Sequence, residues 1–165
     1  MGADVSKRQA AGGLALSENI TIVRSVDDLN FWLRRFAPRV TLHLLQTEVI
    51  ATSSAGELRM PTMISFVRDG ERRTIVAVGD DRADVPGATT VRLFSSEAMS
   101  GHRLDDLLQK FFSLVLQRLP RSPGFIRPVV VVRGLMSLPP EMNDGQQVAR
   151  ALHSCGAAAI VIDAV

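Results

Sequence analysis

Residues 128–164 read PVVVVRGLMSLPPEMNDGQQVARALHSCGAAAIVIDA, and this stretch decides the fold class. It opens with four consecutive valines, Val129 to Val132. A short, wholly apolar, β-branched run is what a strand covered on both faces requires. Prolines then introduce a helix read over roughly Pro140 to Cys155, with Gly156 just past its end. Ala158 to Val165 closes with a second apolar strand. Strand, helix and strand in so short a span form a βαβ unit, so the two strands are expected to run parallel with a right-handed crossover.

Upstream lies the clearest helix, where Leu104, Leu107, Leu108, Phe111, Phe112, Val115 and Leu119 recur at spacings of three and four. Leu114 and Leu116 widen its apolar surface, which predicts burial on more than one side. Pro120 ends it. Before that helix, Val40–Thr52, Leu58–Val67 and Thr74–Val78 read as strands, with turns at Ser53–Gly56 and Asp69-Gly70. Short turns make an antiparallel meander the economical expectation, and Thr89–Phe94 reads as a further extended piece. A first helix is expected over residues 25–37, capped by Ser25 and stopped by Pro38. Val26, Leu29, Trp32, Leu33 and Phe36 would share its apolar face. The sum is an α/β domain over residues 20–165: a mixed five-stranded sheet, a three-strand meander plus the parallel βαβ unit, flanked by helices. Residues 1–19, small and polar with Gly12-Gly13, read as a flexible tail. Gly2 and Ser6 match the loose myristoylation pattern, which an ordinary N-terminus satisfies as well.

The 165 residues suffice for one core, and the globular composition, 46% apolar and 22% charged, argues against disorder. A net charge of +2 gives no argument for a nucleic-acid partner. Cys155 is the one cysteine, which excludes an internal disulfide framework and fits a reducing compartment. No apolar run reaches the ~20 residues of a membrane-spanning helix, and the start lacks a signal-peptide core. A cytoplasmic location is therefore expected.

Catalytic groups are sparse. His43, His102 and His153 lie at no metal-ligand spacing, and His43 falls within a strand, where a structural imidazole is the plainer reading. Cys155 sits at a helix end, where the dipole raises a thiol pKa, so it reads as a packing residue. Asp80-Asp81 and Asp105-Asp106 read as solvated faces, since neighbouring side chains point apart. Phosphate-loop, dinucleotide and nucleophile-elbow motifs are absent from the sequence. The segment Phe31, Trp32, Leu33, Arg34, Arg35 and Phe36 has two meanings: packing against the sheet or a partner, or lying in a membrane interface. Its aromatic and basic composition suits a membrane, but Asp27-Asp28 opposes anionic lipid, so chemistry alone favours packing.

The order of elements resembles the first half of MreB, the bacterial actin-like family that helps set rod shape. FWLRRFAPRVTLHLLQTEVIATSSAGELRMPTMISF (31–66) is similar to that family's short basic amphipathic helix leading into a first hairpin, with Pro61 before the next apolar run. TIVAVGDD (74–81) resembles its third strand, VRLFSSEAMSGHRLDDLLQKFFSLVLQRLP (91–120) its cleft segment and long helix, and 128–164 its following strand, helix and strand. The resemblance implies an actin-like, RNase H-like half-domain. It also implies self-association or docking on another cytoskeletal or cell-envelope protein, with the first helix as contact at the inner membrane surface.

The departures carry as much weight. The family's first hairpin holds an Asp-x-Gly loop, whose glycine lets amides approach phosphates and whose acid organises the metal. At the matching stretch, 42–47, this chain has His43 for the acid and Leu45 for the glycine. No second phosphate loop follows before Val165. A degenerate nucleotide loop is therefore expected, with no catalytic residue, cofactor or metal ligand carried over. A half-domain is further expected to expose an apolar surface for association. Two rivals stay open. One is a small regulatory or ligand-binding α/β domain with an anion or nucleotide site around Arg133-Gly134 and Asp163, at the carboxyl ends of the parallel strands. The other is an enzyme using Asp163, Glu97 or His102, which no spacing favours.

Overall fold

The computed structural model describes residues 20–81, 85–95, 104–121, 126–142 and 145–163. The 1–19 tail with Gly2, and the candidates Glu97 and His102, lie outside the described residues.

The chain begins with β1 (Ile22–Val23), a 3-10 turn at Val26–Asp28 and α1 (Phe31–Phe36). Then come β2 (Arg39–Leu44), β3 (Glu48–Ser53), β4 (Gly56–Pro61), β5 (Met63–Asp69), β6 (Arg72–Val78) and β7 (Ala88–Arg92). The last part holds α2 (Leu104–Arg118), β8 (Val129–Arg133), 3-10 turns at Leu135–Ser137 and Pro140–Met142, α3 (Gln146–Ser154) and β9 (Ala159–Ile162).

The α/β class and the βαβ unit stand: β8 and β9 pair in parallel, as do β2 and β8. The strand count differs. One mixed sheet of six strands has the order β1-β9-β8-β2-β3-β4, and a separate antiparallel sheet has the order β6-β5-β7. Two expected strands each proved to be two. Val40–Thr52 folds back on itself through Leu45–Thr47, with Leu44 opposite Val49. Leu58–Val67 changes sheet at Thr62, between β4 and β5. Neither break carries glycine, which is why pattern alone runs through both.

The helices α2 and α3 cover one face of the large sheet. Phe111, Phe112, Leu108 and Leu152 are sealed there against Val40, Leu42, Leu44, Val130, Val132 and Ile160. The opposite face buries Val129, Val131, Ala159 and Val161 beneath Leu29, with Leu33 and Val26 packed alongside. The four-valine run is thus covered on both sides, as its composition required.

Two helices are shorter than the sequence suggests. The expected 25–37 helix divides: Leu29 and Asn30 are extended, and the Asn30 side chain accepts from the Leu33 N–H at 2.9 Å, starting α1 afresh. The expected 140–155 helix begins only at Gln146, because Gly145 holds φ +71°, a conformation no helix interior accepts.

Candidate functional site

Two places hold the residues singled out by the sequence. The first is the β2–β3 turn at the carboxyl end of the parallel strands. Here the chain is occupied with itself. The Leu45 N–H donates to the Glu48 carbonyl at 3.0 Å, closing a three-residue hairpin loop. The carbonyls of Gln46 and Thr47 accept from Thr62, from its hydroxyl at 2.6 Å and its N–H at 3.0 Å. Thr62 is fully buried, so these bonds satisfy a polar side chain that would otherwise be costly there.

The loop after β8 completes the closure. Ser137 Oγ lies 3.0 Å from the Leu44 carbonyl and 2.7 Å from that of Gly134, in reach to donate to either. The Gln46 side-chain amide donates to the Ser137 carbonyl at 2.9 Å. Gly134 makes this approach possible. It holds φ +80°, and a Cβ there would strike the Leu44 carbonyl oxygen and lie 2.8 Å from His43 Cδ2. Of these residues, sequence reading singled out His43, Leu45 and Gly134; Thr62 and Ser137 carry no motif.

His43 is exposed: it stands on the outer sheet face, level with Arg133 across the parallel pair and beside Gly134. Leu45 is half-buried in the turn. Arg133 Nε donates to Asp163 Oδ2 at 2.9 Å. Thus His43, Arg133 and Asp163 end three adjacent strands. Residues 43 to 47 of the turn include neither a glycine nor a carboxylate.

The second place is α1. Phe31, Trp32 and Phe36 are 65%, 69% and 50% exposed. They touch one another: the Trp32 and Phe36 rings lie 4.6 Å apart, and those of Phe31 and Phe36 6.4 Å apart, edge to face. Arg34 and Arg35 flank them, exposed, in the last turn of the helix. Leu33 turns inward. The single expected stripe is therefore split: Leu29 and Leu33 face the sheet, while Trp32 and Phe36 face solvent. Arg34 lies 3.8 Å from Asp27, and Arg39 donates to the Arg34 carbonyl at 3.1 Å.

Other expectations are corrected in detail. Asp80 and Asp81 are exposed, as expected, and in addition both bind Arg118, at 2.7 and 2.8 Å, tying the small sheet to the end of α2. Hydrogen bonds to these carboxylates, Asp81 foremost, raise the Arg118 pKa. Cys155 packs as expected, donating to the Gln109 carbonyl at 3.3 Å, but burial is what pushes its thiol up to about 11. The uncovered outer face of β2–β4 is polar rather than apolar. Thr52, Glu57 and Arg59 stand exposed there, with Arg59 3.0 Å from Glu57. A cavity of about 1130 Å³ between β6 and α2 has an apolar floor of Ile64, Phe66 and Leu107 and rim charges of both signs.

No family model matches the sequence, and no curated protein does. Solved structures do. MreB 5 of Spiroplasma citri bound to AMPPNP is similar over 78% of this chain, at 12% identity and a TM-score of 0.55. A non-polymerising mutant of MamK bound to AMPPNP is similar over 77%, at 12% identity and a TM-score of 0.53. The match covers 39% and 40% of those chains, so this chain spans about two fifths of their length. At such identity the likeness shows the fold alone: this chain shares the fold of part of the MreB 5 and MamK structures.

Proposed function

We propose that this chain is a non-catalytic actin-like module that works by association: with copies of itself or a cytoskeletal or cell-envelope protein, held at the cytoplasmic membrane surface by α1. The observation that carries the reading is the exposed aromatic cluster of Phe31, Trp32 and Phe36 flanked by Arg34 and Arg35. Aromatic rings beside arginines suit the interface between headgroups and acyl chains. No described helix is long and apolar enough to cross a membrane, so contact of this kind would be peripheral.

The closed β2–β3 turn supports the non-catalytic part. The two solved relatives carry a nucleotide analogue. In this chain the turn's amide and carbonyls are already bonded within the protein, and Leu45 stands where an approach to phosphate needs glycine. Calorimetric titration with Mg-ATP is the test, alongside light scattering on purified protein. The reading expects no heat of binding and a species larger than the monomer. Binding in the micromolar range, or a strict monomer that ignores vesicles, contradicts it.

A second reading has one observation in its favour. His43, Arg133 and Asp163 share a row at the carboxyl ends of three strands, a usual place for ligands. A ligand-binding domain would show a thermal upshift with phosphate or nucleotides that Arg133→Gln removes.

A further inference from the structure

We propose that two copies of this chain join along β6, edge to edge and antiparallel, with the arginines that open the strand in one copy facing the aspartates that follow it in the other. The inference rests on the self-association part of the reading above and names its surface.

The described strands leave four sheet edges, and one of them is built to be joined. In the large sheet β1 and β4 lie outermost, in the small sheet β6 and β7. An outermost strand turns a row of backbone N–H and C=O groups away from its neighbour, which a new strand can take up; short length, proline and charge blunt such a row. β1 has two residues, and β4 ends in Pro61 and pairs Glu57 with Arg59. β7 sets out Thr89, Thr90 and Arg92, with no acid to meet that arginine in a second copy. β6 spans seven residues without proline. Its Ile75, Val76 and Val78 are half-buried, and among the described residues it pairs with β5 alone.

Charge and side-chain direction together fix the register. Arg72-Arg73 open β6 and Asp80-Asp81 follow it. With Ile75 opposite Val78 of the second copy, Arg73 meets Asp80 and Arg72 meets Asp81, and by symmetry each contact occurs twice. Facing residues must also lie on one side of a sheet, and residues three apart in a regular strand do not. Here the β5–β6 pairing shifts: Ile75 stands beside Phe66 and Val78 beside Ile64, so Val76 is an extra residue. Ile75 and Val78 therefore share the side of Ile64 and Phe66, and both pack toward the core. The cavity between β6 and α2 lies over that side, so Ile75 and Val78 of the second copy extend its apolar floor. A register slipped by two sets Glu71 against Asp80 instead, acid on acid.

The test is sedimentation equilibrium of the full chain, each variant first checked for an unchanged melting curve. Arg73→Glu alone and Asp80→Arg alone bring like charges together at both symmetric contacts, and each should raise the dimer dissociation constant about tenfold. Mixed in equal amounts, the two should associate like wild type, because each contact then holds one acid and one base. Thr89→Glu, on the β7 edge, should change nothing. A second measurement needs no charge variant: Ile75→Cys combined with Val78→Cys should give disulfide-linked dimers in mild oxidant. Within one strand those positions are about 10 Å apart, too far to bridge. Wild-type dimers that the charge variants do not weaken, a mixture no tighter than its components, an equal loss from Thr89→Glu, or a double cysteine variant that does not link each overturn the surface and leave the self-association reading standing. A wild type that stays monomeric overturns both and leaves the β6 edge to a strand of another protein.

Discussion

Gly134 shows how one residue can set the use of a site. Its φ of +80° and the carbonyl oxygen of Leu44 leave no room for a side chain. A clash with backbone cannot be relieved by a rotamer change. Gly134→Ala should therefore cost about 2 kcal/mol or more, read as a lowered midpoint in chemical denaturation. Thr62→Val tests the other half of the closure. It removes the hydroxyl that donates to the Gln46 carbonyl and should cost about 1–3 kcal/mol, seen in the same titration. Cys155 gives a pH test. Its pKa is raised from 9.0 to about 11 by burial, so the folded state holds its proton the more tightly. That stability is whole below pH 9 and drains away as pH rises through the folded value. Native protein should accordingly resist alkylation at pH 8, whereas the denatured chain reacts readily. Among these three residues sequence reading singled out Gly134 and Cys155. Thr62 was invisible, because a threonine between two apolar runs looks like any strand residue until its burial is known.

At the scale of elements, periodicity was legible where it was long. The repeat in α2 places Leu108, Phe111, Phe112, Val115 and Leu116 in the core, as read. The four valines of β8 were equally plain. Short elements were not. In the segment before β2, Leu29 and Trp32 stand three residues apart and share a face on a helical wheel. The extended pair Leu29-Asn30 separates them, leaving Leu29 6% and Trp32 69% exposed. Denaturation of two variants makes the contrast measurable. Leu29→Ala should lose about 2–3 kcal/mol. Trp32→Ala, away from the core, should change stability by less than about 0.5 kcal/mol while removing vesicle binding. Similar losses of stability from both would mean that α1 packs on the protein rather than facing outward. The two strand breaks at Leu45–Thr47 and Thr62 were hidden for a related reason: they are made by hydrogen bonds between distant segments, and turn residues do not mark them.

For the whole molecule, the order of elements carried more information than identity. The actin-like arrangement was legible from the succession of hairpin, long helix and βαβ unit, and it is the fold shared with solved structures at 12% identity. Two features of the whole were not legible. One is the separation into two sheets, joined through Thr62 and clamped by Arg118 on Asp80 and Asp81. The other is the distribution of exposed surface: polar over β2–β4, apolar and arginine-rich where β2 and β8 begin. Both arise from contacts between residues far apart in sequence. Together they underlie the proposal that the domain leaves nucleotide unbound and settles on a lipid surface. Flotation of the wild-type chain with phosphatidylglycerol-containing vesicles, run with and without Mg-ATP, puts both halves of that account to one measurement. The protein is predicted to rise with the vesicles to the same extent in either case. A chain that stays at the bottom of the gradient, or that rises only when Mg-ATP is present, contradicts it.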